Sequence, residues 1–210
     1  MLVLLSNFTR KDNKELINRV VNNFSNGKYN LAYVPSCTDS SRKYYIHVKS
    51  MLNEYGNFQY EYYDIDENCD SIDFDKLFSS DVIYLSGGNT FYFLNNIKKN
   101  NLIDRFRSYV KTGGNIIGLS AGAIILSQSI EIAKFGGENI CEIEDFSALG
   151  LVQFDFIPHW NMGSHNIYEL KHFSKKNKKV IYTCNDGDGI IVDKENIELY
   201  GSITKIDYSL

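Results

Sequence analysis

Short apolar runs punctuate the chain at Leu2 to Leu5, Asn30 to Val34, Phe58 to Tyr63, Asp81 to Leu85 and Asn115 to Leu119, and a longer polar stretch follows each of them. Runs this short and this rich in Val, Ile, Leu and Tyr read as strands buried on both faces. Between them, Asn13 to Phe24, Tyr44 to Tyr55 and Leu102 to Lys111 read as helices. Strand and helix in repeated alternation predict an α/β fold: a three-layer, doubly wound, mainly parallel sheet with helices on both faces. Toward the C-terminus the pattern changes. Lys179 to Cys184, Gly189 to Val192 and Ile197 to Tyr200 succeed one another with only short polar breaks, which predicts a short antiparallel C-terminal extension of the sheet. No internal repeat, low-complexity tract or long linker divides the 210 residues, so a single domain over 1–210 is expected.

In such sheets the chemistry gathers at the carboxyl ends of the strands, which directs attention to the loops after Leu85 and Leu119. The second loop reads Gly118-Leu119-Ser120-Ala121-Gly122-Ala123, a G-x-S-x-G between a strand and a helix-forming run. A nucleophile elbow needs this context, because the flanking glycines remove side chains that would collide in so sharp a turn. The bland alternative is a tight turn whose serine caps the next helix. The first loop, Ser86-Gly87-Gly88-Asn89-Thr90-Phe91, leads into a helical stretch from Phe93 to Lys98. Paired glycines at a strand end let the backbone approach a ligand and aim N–H groups at an anion. Neither G-x-G-x-x-G nor G-K-[ST] is present there, so an oxyanion donor at Gly88 fits better than a nucleotide site.

A serine nucleophile requires a base, and the chain offers His47, His159, His165 and His172. His159 ends the run from Ala148 through Pro158, which reads as a buried strand that stops at the proline and leaves the imidazole at a strand terminus. His47 lies in a helical stretch far upstream, and His165 and His172 are spaced like surface positions of one polar helix.

Gly-Gly-Asn-Thr-Phe (Gly87 to Phe91), Gly-x-Ser-Ala-Gly-Ala (Gly118 to Ala123), Ala-Leu-Gly-Leu-Val (Ala148 to Val152) and Pro158-His159 together resemble the S51 serine peptidases in order and approximate spacing. That family includes dipeptidase E and cyanophycinase, and its fold is similar to class I glutamine amidotransferases. The resemblance implies Ser120 as nucleophile, His159 as base, the backbone N–H groups of Gly88 and Ala121 as oxyanion hole, and a substrate contact along Gly87, Asn89 and Thr90. It also implies an aspartate between serine and histidine, yet no Asp occurs between Ser120 and Asp145. Counting back from Ala148 lands close to Glu138, which is the expected third member, with Glu131 and Asn139 as alternatives. The aspartyl dipeptidases carry arginine after the Pro-His motif, whereas no arginine follows Arg107 here. A carboxylate grip would fall to His165 or a lysine, and lysine lacks the forked geometry.

Composition narrows the remaining classes. With 43% hydrophobic and 23% charged residues the chain is an ordinary globular one, and a net charge of −4 gives no attraction for nucleic acid or an anionic membrane. The basic run Lys175 to Lys179 reads as a solvated helix end. The apolar N-terminus breaks at Asn7, too early for a secretory or membrane segment. Four widely spaced cysteines without a C-x-x-C pair suggest a reduced, cytoplasmic chain. No cofactor and no metal is expected: Asp186, Asp188 and Asp193 lack the ligand spacing of a calcium loop, and Asn185-Asp186-Gly187-Asp188-Gly189 reads as a β-turn. The 15 tyrosines read as compositional bias rather than as a binding surface. The expected substrate is a short peptide or small amide, and a homodimer is a base-rate expectation only. The alternative of another class is a non-catalytic binding module on a hydrolase-like scaffold.

Overall fold

Successive residues of a strand point to opposite faces, and this alternation sorts the apolar runs onto two cores. In a computed structural model, which describes residues 1–8, 14–24, 27–67, 69–162 and 166–209, Leu2 and Leu4 face one core and Val3 and Leu5 the other. Ala32 and Val34 separate from Leu31 and Tyr33 in the same way, as do Ile83 and Leu85 from Val82 and Tyr84. Because both faces are covered, these strands read as continuous apolar runs.

The strands are β1 (Leu2–Leu5), β2 (Tyr29–Val34), β3 (Phe58–Tyr62), β4 (Val82–Leu85), β5 (Asn115–Leu119), β6 (Asp155–Ile157), β7 (Ile181–Thr183), β8 (Gly189–Asp193), β9 (Asn196–Tyr200) and β10 (Thr204–Ile206). The helices are α1 (Lys14–Asn22), α2 (Lys43–Leu52), α3 (Phe74–Phe78), α4 (Thr90–Lys99), α5 (Ile103–Lys111), α6 (Ala121–Ile124) and α7 (Ile167–Asn177). A seven-stranded sheet runs β3-β2-β4-β5-β1-β8-β9, parallel from β3 to β1 and antiparallel through β8 and β9. Helices α1 and α2 cover one face through Leu16, Val20, Val48 and Leu52. The other face carries α4, α5 and α6 through Phe93, Leu94, Phe106 and Ala123. The three-layer, mainly parallel fold with an antiparallel C-terminal extension is the one the periodicity predicts.

Two segments depart from that expectation. The run 179–184 does not join the extension. Its strand β7 belongs to a second, three-stranded sheet of order β10-β7-β6, parallel to β6 and antiparallel to β10. The run 148–159 is a strand only at β6. Upstream of it, Ala148, Leu149, Gly150 and Leu151 donate their N–H groups to the carbonyls of Gln128, Ile125, Ser127 and Leu126. The Arg107 guanidinium holds the carbonyls of Leu149 and Ala148 at 2.9 and 3.1 Å. A buried apolar loop can therefore satisfy its backbone without a ladder, and apolarity alone does not reveal the difference.

Candidate active site

The turn after β5 is forced by contact distances. A Cβ on Gly118 would sit 2.6 Å from the Gly122 carbonyl oxygen, and one on Gly122 would sit 2.3 Å from the Leu85 carbonyl oxygen. Both glycines of the G-x-S-x-G are thus required by backbone packing between β5, α6 and β4. Ser120 itself takes φ 49° and ψ −107°, a strained setting for a residue with a side chain. Its N–H donates to the Leu5 carbonyl at 2.8 Å, and the Gly122 N–H donates to the Ser86 carbonyl at 3.1 Å, so β1 and the β4 loop hold the turn in place.

Ser120 Oγ lies 2.9 Å from His159 Nε2. On the far side of the ring, His159 Nδ1 lies 2.5 Å from Asp186 Oδ1. With the ring proton on Nδ1, the imidazole donates to the carboxylate and accepts the serine hydroxyl proton through Nε2. The carboxylate on the histidine is thus that of Asp186 and not that of Glu138. Glu138 is exposed, and what touches the glycine loop is its backbone carbonyl, which accepts from Asn89 Nδ2 at 2.9 Å. Glu131 pairs with Lys134 at 2.9 Å, and Asn139 exchanges two hydrogen bonds with the backbone of Ile143.

Topology explains how Asp186 arrives. Strands β6 and β7 are parallel neighbours with Ile157 opposite Thr183, so the loops leaving them emerge at the same end, one carrying His159 and the other Asp186. His159 has φ 56°, and its N–H donates to Ser6 Oγ at 2.7 Å. Ser6, wholly buried just after β1, donates a hydrogen bond from its hydroxyl to Asp186 Oδ1 at 3.2 Å. The Asp186 N–H is anchored on Asn161 Oδ1 at 3.0 Å. Ser6 and Asn161 give no signal in sequence. The turn read at Asn185-Asp186-Gly187-Asp188 does exist, closed by the Asp188 N–H on the Asn185 carbonyl at 3.0 Å, but it orients a carboxylate as well as reversing the chain.

The glycine loop lies alongside. A Cβ on Gly87 would meet that of Ser120 at 3.5 Å, an ordinary contact, whereas Gly88, at φ 139°, would drive a Cβ into the Ser36 hydroxyl. Asn89 caps α4 by accepting from the Tyr92 N–H at 2.9 Å, and Thr90 opens that helix in a buried position. Gly87 and Gly88 line a cavity of about 960 Å³ together with Ser120 and His159, whereas Asn89 and Thr90 serve the helix start behind it. His47 lies on the wall of the same cavity, His172 is exposed on α7, and His165 lies outside the described residues. Among the described residues no cluster of three or more His, Cys, Asp or Glu could hold a metal ion, and no helix is long and apolar enough to cross a membrane.

A strained serine hydroxyl, an imidazole within hydrogen-bond reach and a carboxylate behind it can together deliver a nucleophile while storing its proton. Comparison with known proteins finds similarity to peptidases. The sequence resembles an uncharacterized peptidase of Pasteurella multocida, 35% identical over 88 residues, or 41% of this chain and 42% of that one. It resembles a peptidase E of a Shewanella species, 37% identical over 82 residues, or 39% of this chain and 34% of that one. The chain thus matches less than half the length of these relatives. A crystal structure of a Listeria monocytogenes protein provisionally described as a peptidase E superposes with a TM-score of 0.73 at 26% identity, covering 94% of this chain and 96% of the other. A peptidase from an acI-B1 actinobacterium shares the fold, with a TM-score of 0.65 at 14% identity over 98% of this chain and 86% of the other. The sequence model of Peptidase family S51 matches residues 2–200, and the chain belongs to that family.

Proposed function

We propose that this protein is a serine-type peptidase that hydrolyses an amide bond in short peptides through an acyl-enzyme on Ser120. The single observation that carries the reading is the continuous hydrogen-bonded chain from Ser120 Oγ through His159 to Asp186 at the edge of a cavity. Ser120 Oγ attacks the amide carbonyl carbon as its proton passes to His159 Nε2. The imidazolium then returns that proton to the departing amine nitrogen as the C–N bond breaks. Water attacks the ester with the same histidine as base, the Oγ–carbon bond breaks, and Ser120 regains its proton. Asp186 holds the ring in the required tautomer and stabilises the imidazolium.

The N–H groups of Gly88 and Ala121 are assigned to the developing oxyanion. Ala121 is the first residue of the turn that follows Ser120, where N–H groups have no acceptor within the helix, and Gly88 borders the same cavity. The non-catalytic reading rested on the missing family aspartate and arginine; Asp186 supplies a carboxylate beside His159, while no arginine follows Arg107. Four free cysteines, one of them exposed, agree with a reduced cytoplasmic setting. The test is hydrolysis of a dipeptide panel by wild type and Ser120→Ala, followed by chromatography. Loss of turnover by roughly a thousandfold or more in the variant is expected, and full retention would remove the mechanism.

A further inference from the structure

The cavity beside Ser120 has a wall that the proposed chemistry does not use. Tyr33 on β2 stands opposite both Tyr62 on β3 and Tyr84 on β4 in the parallel register. The three rings form a stack across the sheet, with Tyr33 centred 5.7 Å from Tyr62 at an interplanar angle of 13° and 5.3 Å from Tyr84 at 11°. Tyr45 of α2 caps the stack edge-on, 5.3 Å from Tyr33 and 5.2 Å from Tyr62. All three stacked rings border the cavity, which Val48 and Met51 of α2 close from the side. In register, Tyr84 stands opposite Ile117, three residues before Ser120. At about 3.3 Å per strand residue, the stack lies roughly 10 Å along the strand direction from the serine. Tyr33 and Tyr84 are buried at 2% and 1% exposure, so the stack meets a ligand chiefly through Tyr62, which is half-buried, with Tyr33 and Tyr84 backing it.

The charges on the cavity wall are sparse. Among the described residues that border it, no lysine or arginine occurs, His47 and His159 are the titratable bases, and Asp39 is the one carboxylate. An acidic side chain entering here would lose hydration and meet the like charge of Asp39, and the Arg42 guanidinium, which does not border the cavity, is already engaged over the Tyr62 ring, 4.5 Å from its centroid. A flat apolar one would exchange water for aromatic and aliphatic contacts.

We infer that this cavity is a specificity subsite for a large apolar or aromatic side chain flanking the scissile amide, and that it discriminates against aspartate. The inference rests on the reading of Ser120 as the point of attack, and its test measures binding so that the two can fail separately. Ser120→Ala serves as the receptor in calorimetric titrations with Phe-Gly, Gly-Phe, Asp-Gly and Gly-Asp. At least one phenylalanine dipeptide binds tenfold or more tightly than either aspartate dipeptide. Equal or tighter binding of an aspartate dipeptide overturns the assignment. Tyr62→Ala in the same background, checked for folding by its melting curve, weakens the phenylalanine dipeptide several-fold. An unchanged affinity in a folded variant places the side chain elsewhere and equally overturns it. If Tyr62→Ala does not fold, His47→Arg on the exposed face of α2 takes its place and narrows the preference by raising affinity for aspartate; an unchanged ratio counts against the subsite. Failure of Ser120 to react with a fluorophosphonate in the wild type would sink the acyl-enzyme while leaving these binding results to stand.

Discussion

At Ser120 the backbone is held in a setting that costs about 1–3 kcal/mol for a residue with a side chain, and the surrounding contacts hold it there. Gly122→Ala tests how little slack remains. Its Cβ would meet the Leu85 carbonyl, a backbone atom that moves only with β4, so a loss of about 1–3 kcal/mol and a lower melting temperature are expected. Asp186→Asn keeps the shape beside His159 but removes the charge and allows the wrong ring tautomer. The expected result is a fall in kcat of roughly 10³–10⁴-fold with the fold intact, while Glu138→Gln stays near wild type in the same assay. Ser120 and His159 were legible because glycine spacing and a strand-ending Pro-His each carry a local cause. Asp186 was not, since its partner lies 27 residues away and its own neighbourhood is fully explained as a turn.

At the level of elements, the five parallel strands were legible to within a residue, because burial on both faces writes an uninterrupted apolar run. Pairing was harder to read. Placing 179–184 in the antiparallel extension missed its true neighbour β6, and that parallel pairing is what brings Asp186 to the histidine. The genuine extension is fastened by Arg19 of α1, whose Nε and Nη2 each donate to Glu198 of β9 at 3.0 Å. This hydrogen-bonded guanidinium holds the Glu198 carboxyl below its ordinary range. A carboxyl whose folded-state pKa is lowered contributes stability above its unfolded value of about 4.3, and that contribution disappears as pH falls through the folded-state value. Urea unfolding should therefore find Glu198→Gln less stable than wild type at pH 7, by no more than about 1 kcal/mol for a partly exposed pair, and the gap should close progressively below about pH 4. A gap that persists undiminished in acid would assign the contact to packing rather than charge.

For the molecule as a whole, the site belongs to neither sheet alone. Ser120 and Ser6 leave the large sheet, His159 and Asp186 leave the small one, and the glycine loop and the tyrosine stack come from β2, β3 and β4. Tyrosine abundance in the sequence says nothing of this, because only the parallel register aligns Tyr62, Tyr33 and Tyr84 into one wall. The central claim is that this assembly activates one serine. Its most direct test is mass spectrometry of the protein after fluorophosphonate treatment, comparing wild type with Ser120→Ala and Asp186→Asn. The account predicts a single adduct on Ser120 in the wild type, none in Ser120→Ala and much slower labelling in Asp186→Asn. An unlabelled wild type, or an adduct that survives Ser120→Ala, would contradict it.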